Sequence, residues 1–243
     1  MQSKGHLRLV NRLNDFMGDY EFAQIIYSCR NFITDKNGNL KYLDATRHAV
    51  LSKRDATPQT RTIIANHLRS TIAVSFIKEA YEEVTEYIHY ILKMGAMSGK
   101  IKPEKISDSI KVNLTANQIL ATRTHEEVMT LVTKEIYQQL ESERSTKKLI
   151  KKTTARLGLN VKEELIERAL KYLDMRHIFV HEDGKPNRQF KEDYPDIKLN
   201  QKGRINLTET NLHNVCDDIK ALIDAIDSEM ISKGLIIEQE MQP

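Results

Sequence analysis

Between Pro58 and Gly95 the chain contains neither proline nor glycine, and this uninterrupted stretch does most to limit what it can fold into. Thr57-Pro58 is a start signal, a hydroxyl to cap a helix followed by proline at its first position, so one long helix is expected near 58–94. At about 100° per residue, Phe76, Ala80, Tyr87 and Ile91 fall on one stripe that must be buried against other elements. Glu83 lies within that stripe and Glu82 does not; an acid on an apolar stripe needs a partner.

The remaining chain reads in the same helical terms. Residues 1–56 read as an N-terminal helical appendage, with one helix around Tyr20 to Ile33 carried by Phe22, Ile25, Ile26 and Cys29, a turn at 35–39, and a short helix over Ala45 to Lys53. Residues 57–234 form the expected main domain. After a loop from Met94 to Pro103 come a short helix over Glu104 to Val112 and a longer one near His125 to Glu143. A basic helix, Thr146 to Leu157, stops at Gly158, and Asn160 with Glu163 looks like a capping box for a helix near 161–182. The segment Ile197 to Leu207 alternates about Gly203 and suits a small hairpin. Thr208 then caps a final helix near 208–233 that turns Leu212, Val215, Ile219, Leu222, Ile226 and Met230 inward and stops at Gly234. Residues 235–243 read as a loose C-terminal tail. The expected fold is therefore all-α, an antiparallel helical bundle with a small β-hairpin or loop insert after the helix ending near residue 182.

Composition agrees with a helix-rich chain and excludes several functions. Of 243 residues, 40% are apolar and 29% charged, with no tryptophan, nine glycines and five prolines. A net charge of +3 from 37 basic and 34 acidic residues is too balanced to mark a nucleic-acid binder in bulk, so any RNA footprint has to be local. Cys29 and Cys216 stand singly, which suggests neither a zinc site nor a disulfide. Without a signal-like segment, or any run near the roughly 18 apolar residues of a membrane span, a cytoplasmic protein with no membrane partner is expected. His6, His48, His67, His89, His125 and His213 are scattered, and His125-Glu-Glu-Val lacks the second histidine of a zinc protease. There is no P-loop, no GxGxxG and no GxSxG, so no cofactor and no metal is expected.

The chemistry concentrates in Leu173 to Gly184, read LDMRHIFVHEDG, which sets Arg176, His177 and His181 at the end of a helix with Gly184 as its stop. An imidazole, with an ordinary pKa near ~6.5, exchanges protons near neutrality, and a forked guanidinium suits phosphate oxygens. His177 and His181 are four residues apart and share a helix face, whereas Arg176 and His181 lie about 140° apart. The arginine must reach around, or serve a site completed by another subunit. The alternative is a solvated helix end whose positive charge answers the last carbonyls and the dipole.

Arginine, a polar residue, three apolar residues, then His181 with Glu182, Asp183 and Gly184 behind it resembles the Arg-[Asn/His/Asp]-x-x-x-His signature of HEPN-superfamily ribonucleases. Residues 184–226, an insert followed by one long helix, look like one variety of that superfamily, and the resemblance spans roughly Thr57 to Gly234. It implies a metal-independent endoribonuclease leaving 2′,3′-cyclic phosphate and 5′-OH ends, with Arg176, His177 and His181 catalytic. It also implies a homodimer in which two motif helices pack about a two-fold axis, and a role as a toxin or antiphage defence nuclease. Glu83 would be the acid that some members place on the first core helix to orient the arginine or a histidine. Some family toxins pair with an antitoxin that modifies a tyrosine two residues beyond the motif histidine. Here that position is Asp183, which argues against pairing by that chemistry and leaves RNA, a second copy, or another antitoxin or regulatory protein as expected partners.

Arg144, Lys147, Lys148, Lys151, Lys152 and Arg156 form the strongest positive run, without an acid among them. It could track an RNA backbone, or be a solvated helix face, since aromatics for base stacking are absent from it. Against the ribonuclease stands a second reading, a non-catalytic helical dimerisation and interaction module.

Overall fold

The computed structural model describes residues 1–29, 32, 40–54, 58–108, 110–142 and 145–242. The expected turn at 35–39, together with Ile33, Thr57, Glu143 and Arg144, lies outside those residues. In chain order the elements are strand β1 (Gln2–Ser3), α1 (Lys4–Ser28), α2 (Ala49–Arg54), α3 (Pro58–Met97), α4 (Pro103–Ser107), α5 (Ala116–Ala121) and α6 (His125–Glu141). There follow α7 (Thr146–Leu157), α8 (Glu163–His181), α9 (Arg188–Asp193), α10 (Glu209–Ser232), a 3₁₀ turn (Glu238–Glu240) and strand β2 (Met241–Gln242). The architecture is all-α, a helical bundle with one minimal strand pair among the described residues.

Helix α3, 40 residues long and thus about 60 Å at 1.5 Å per residue, is the spine. It packs against α1, α6, α7, α8 and α10, and α8 and α10 also pack on each other. The stripe Phe76, Ala80, Tyr87 and Ile91 is buried, as are the inward residues of α10 from Leu212 to Met230. Gly95 does not end α3. A Cβ there would collide with Leu157 at the end of α7, so glycine permits the close approach of two helices while α3 runs on.

The N-terminal segment departs from its expected form. Helix α1 begins at Lys4, capped by Ser3, whose Oγ accepts the His6 N–H at 3.1 Å. Its buried face is Leu9, Leu13, Met17, Tyr20 and Ala23, spaced by four and three residues, and this face is part of the common core with α3 and α10. Helix α1 is therefore built into the core and is not peripheral to it. Phe22 and Ile25, expected to face inward, are 65% and 57% exposed, because they lie about 200° round the helix from the buried Tyr20 and Ala23 respectively.

The C-terminal segment is also tied down. Leu235 and Ile236 are buried, and β2 pairs antiparallel with β1, Ser3 opposite Met241. Under this pair, buried Asp227 accepts the Ser3 N–H at 3.0 Å, the Ser3 hydroxyl at 2.5 Å and the Tyr87 hydroxyl at 3.2 Å. Burial, reinforced by the Asp227 charge, pushes the Tyr87 phenol well above its ordinary value.

Helix α7 ends at Gly158 as expected, but α8 has Lys162 at its cap position with no side-chain bond. The expected Asn160–Glu163 capping box does not form; the Asn160 N–H donates to the Glu229 carboxylate instead, at 3.0 Å. Between α9 and α10 the hairpin is reduced to one bridge, Leu199 opposite Ile205, with Asn200 N–H donating to Arg204 O at 2.8 Å. No described helix is long and apolar enough to cross a membrane.

Candidate active site

Helix α8 stops one turn after its arginine. Glu182 and Gly184 both donate backbone N–H groups to Ile178 O, at 3.1 and 3.0 Å. Gly184 takes φ +75°, a left-handed conformation that favours glycine, and a Cβ there would press on the Phe179 ring at 3.4 Å. This turn leaves the motif side chains at the end of the helix beside a cleft of about 840 Å³.

Arg176, His177 and His181 all line that cleft. Arg176 reaches around its helix: its guanidinium lies 5.0 Å from the centre of the Tyr81 ring, and Nη2 is 3.5 Å from Glu82 Oε1. An ion pair at that length, with Glu82 more than half exposed, is worth about 0–1 kcal/mol, so the fork is oriented but not saturated. The His177 and His181 rings are 4.8 Å apart, as their four-residue spacing requires, and both side chains are exposed.

Glu83 is not at the cleft. It is 11% exposed and faces α1, where Arg12 Nε lies at 3.2 Å and Arg8 Nη2 at 3.7 Å. The acid beside the motif arginine is its neighbour Glu82, rotated by one residue off the apolar stripe. The stripe reading found the acid that needed a partner, and that partner is structural.

The cleft also holds groups that sequence reasoning did not select. Asp174, one turn before Ile178 on α8, accepts the Tyr194 hydroxyl at 2.6 Å. Burial raises the Asp174 carboxyl above its ordinary range despite that bond, and burial followed by the Asp174 hydrogen bond and charge raises the Tyr194 phenol. Burial also raises the Tyr81 phenol, while Arg176 pulls the other way. Glu82, Glu141, Asp174 and Asp193 all line the same space, so the cleft of one chain carries more carboxylates than guanidinium. Among the described residues no three His, Cys, Asp or Glu side chains group to hold a metal ion.

Three residues of the basic run, Lys147, Lys151 and Arg156, are engaged with other parts of the chain. Lys147 pairs with Glu167 and Glu163, and Lys151 lies 2.6 Å from Glu163. Arg156 is buried and donates from Nη1 to Ile106 O at 2.8 Å, pinning α4 to α7.

Compared with known proteins, the chain matches no family model, no curated protein and no solved structure.

Proposed function

We propose that the cleft at the end of α8 is the active site of an endoribonuclease that needs no metal ion. The particular kind is the HEPN ribonuclease, acting in the cytoplasm as a homodimer joined through the motif helices, in the manner of a toxin or antiphage defence nuclease. The observation that carries the reading is that Arg176, His177 and His181 line one cleft although the arginine starts on a different face of the helix.

The chemistry follows from these groups. A base takes the ribose 2′-OH proton, the 2′-oxygen forms a bond to phosphorus, the bond to the 5′-oxygen breaks, and an acid returns a proton to that leaving oxygen. His181 exchanges a proton in this sequence, a role that contributes about 10² to 10⁴-fold. Arg176 presents two parallel N–H donors to the phosphorane oxygens as charge builds there. His177, its ring 4.8 Å from that of His181 and tilted against it, supports the second proton transfer. The products are a 2′,3′-cyclic phosphate and a 5′-OH.

The second copy rests on the resemblance to HEPN ribonucleases, in which two motif helices pack about a two-fold axis. Such a pairing brings two arginines and two pairs of imidazoles to one composite cleft, together with the carboxylates of both chains.

The test is incubation of the purified protein with mixed cellular RNA in EDTA, beside an Arg176→Ala control. Cleavage by the wild type and none by the variant is the expected result. Equal cleavage by both would remove the motif from the account, and an inactive wild type would turn it toward a non-catalytic interaction module.

A further inference from the structure

On the other side of the turn that ends α8 lies a second cavity, of about 410 Å³, walled by α3, by the turn itself and by the insert before α10. Two arginines line it, Arg69 from α3 and Arg204 from the insert. Arg69 donates to neutral acceptors, Gln24 Oε1 at 3.1 Å and Asn66 Oδ1 at 2.9 Å, and its guanidinium lies 4.5 Å from the centre of the Tyr27 ring. It has no carboxylate partner among the described residues. Arg204 pairs with Asp183, whose side chain is 74% exposed, while Arg204 Nε is shut off from solvent with no hydrogen-bond partner. The Arg204 side chain as a whole is 42% exposed, so the outer end of its guanidinium is open to an anion in the cavity.

The other walls are mixed. Asn66, Asn200 and Asn206 bring amides and Ser70 a hydroxyl, whereas Val74, Phe179 and Leu207 are apolar. Two guanidiniums beside amides and an apolar wall fit neither a bare phosphate nor a lipid. They fit a group with a charged end, hydrogen-bonding edges and a flat apolar face, and the volume is within the usual range of about 300 to 1,000 Å³ for small-ligand sites.

We propose that this cavity binds a nucleotide through its phosphate, held between Arg69 and Arg204 in competition with the Asp183 carboxylate. Asp183 is the acid lining the cavity, so displacing it from Arg204 leaves the phosphate as that guanidinium's anion. The same turn is tied to the insert a second time, Ile205 N–H donating to Gly184 O at 2.8 Å, so the two walls of the cavity are joined at two points. The binding claim does not depend on the ribonuclease reading. The shared chemistry is a nucleotide phosphate, whether on a free nucleotide or at the end of an RNA strand.

Isothermal titration of the full chain at low salt with AMP, adenosine and inorganic phosphate tests it. AMP should bind more tightly than adenosine or phosphate alone. Arg69→Gln and Arg204→Gln should each weaken AMP by roughly tenfold or more, since each removes a charge-assisted pair. Asp183→Asn should tighten it, because the competing charge is gone while asparagine still accepts the φ of +51° at that position. Thermal melts accompany each variant, and if Arg204→Gln fails to fold, Arg204→Lys keeps the charge and should retain part of the affinity. His181→Ala should keep AMP binding whether or not it loses RNA cleavage, which separates the two claims. A short 5′-phosphorylated oligoribonucleotide that displaces AMP assigns the site to the strand, and one that binds beside it assigns the site to a free nucleotide. No AMP binding at millimolar concentration, binding unchanged in both arginine variants, or weaker binding by Asp183→Asn would overturn the proposal.

Discussion

His177 and His181 are exposed at a helix end, so their substitution separates chemistry from stability. His181→Ala should lower the cleavage rate by about 10² to 10⁴-fold with the melting curve essentially unchanged. Arg176→Lys should rescue little, because an ammonium keeps the charge but loses the fork. A large loss of stability in His181→Ala, or full activity in Arg176→Lys, would count against the assigned roles. Asp174 makes a prediction of opposite kind. Its folded pKa is raised, so the folded state holds the proton more tightly than the unfolded state, and ionisation costs the fold. That cost is absent below the unfolded value near ~3.9 and grows as pH rises through the folded pKa. Asp174→Asn, which can still accept the Tyr194 hydroxyl, should therefore gain stability over the wild type as pH rises from about 4. Urea melts across pH whose difference stayed flat would refute it. That Arg176, His177 and His181 come together at a helix end was legible from sequence, because their spacing and the helix stop are local. Glu82 was not, because choosing between neighbouring acids requires knowing that α1 covers one side of α3 and the cleft opens on the other.

Among the elements, caps and stripes carried most of what could be read. Thr208 capping α10 and Gly158 ending α7 stand where their residue types placed them, and so does the buried stripe of α10. What sequence could not give was pairing over long separation. The start of α1 at Lys4 depends on Ser3, and Ser3 is held by Asp227, 224 positions away. Nor does the Leu9, Leu13, Met17 face stand out among the polar residues around it until α3 is laid against it. Asp227→Ala leaves the Ser3 N–H, the Ser3 hydroxyl and the Tyr87 phenol buried without their acceptor, at about 1–3 kcal/mol for each unsatisfied group. Chemical denaturation should show a drop of that order, together with faster amide exchange at β1 and β2. A variant as stable as the wild type would mean that the terminal pair contributes little to the fold.

For the whole molecule the open quantity is the second copy. Light scattering at micromolar concentration should give twice the chain mass, and substituting exposed Val180 on α8 with a charged residue should shift the protein toward monomer and reduce cleavage together. A monomer that cuts RNA at the same rate would remove the composite site while leaving the motif in place. The central claim, that the cleft cleaves by way of the substrate's own 2′-oxygen, meets its most direct test on a matched pair of oligonucleotides. One is all ribose, and the other carries deoxyribose at the cleaved linkage. Both are followed in EDTA with end-group analysis of the products. The account predicts cutting of the ribose linkage alone, with 2′,3′-cyclic phosphate and 5′-OH ends; cutting at the deoxy linkage, or a strict requirement for Mg²⁺, would contradict it.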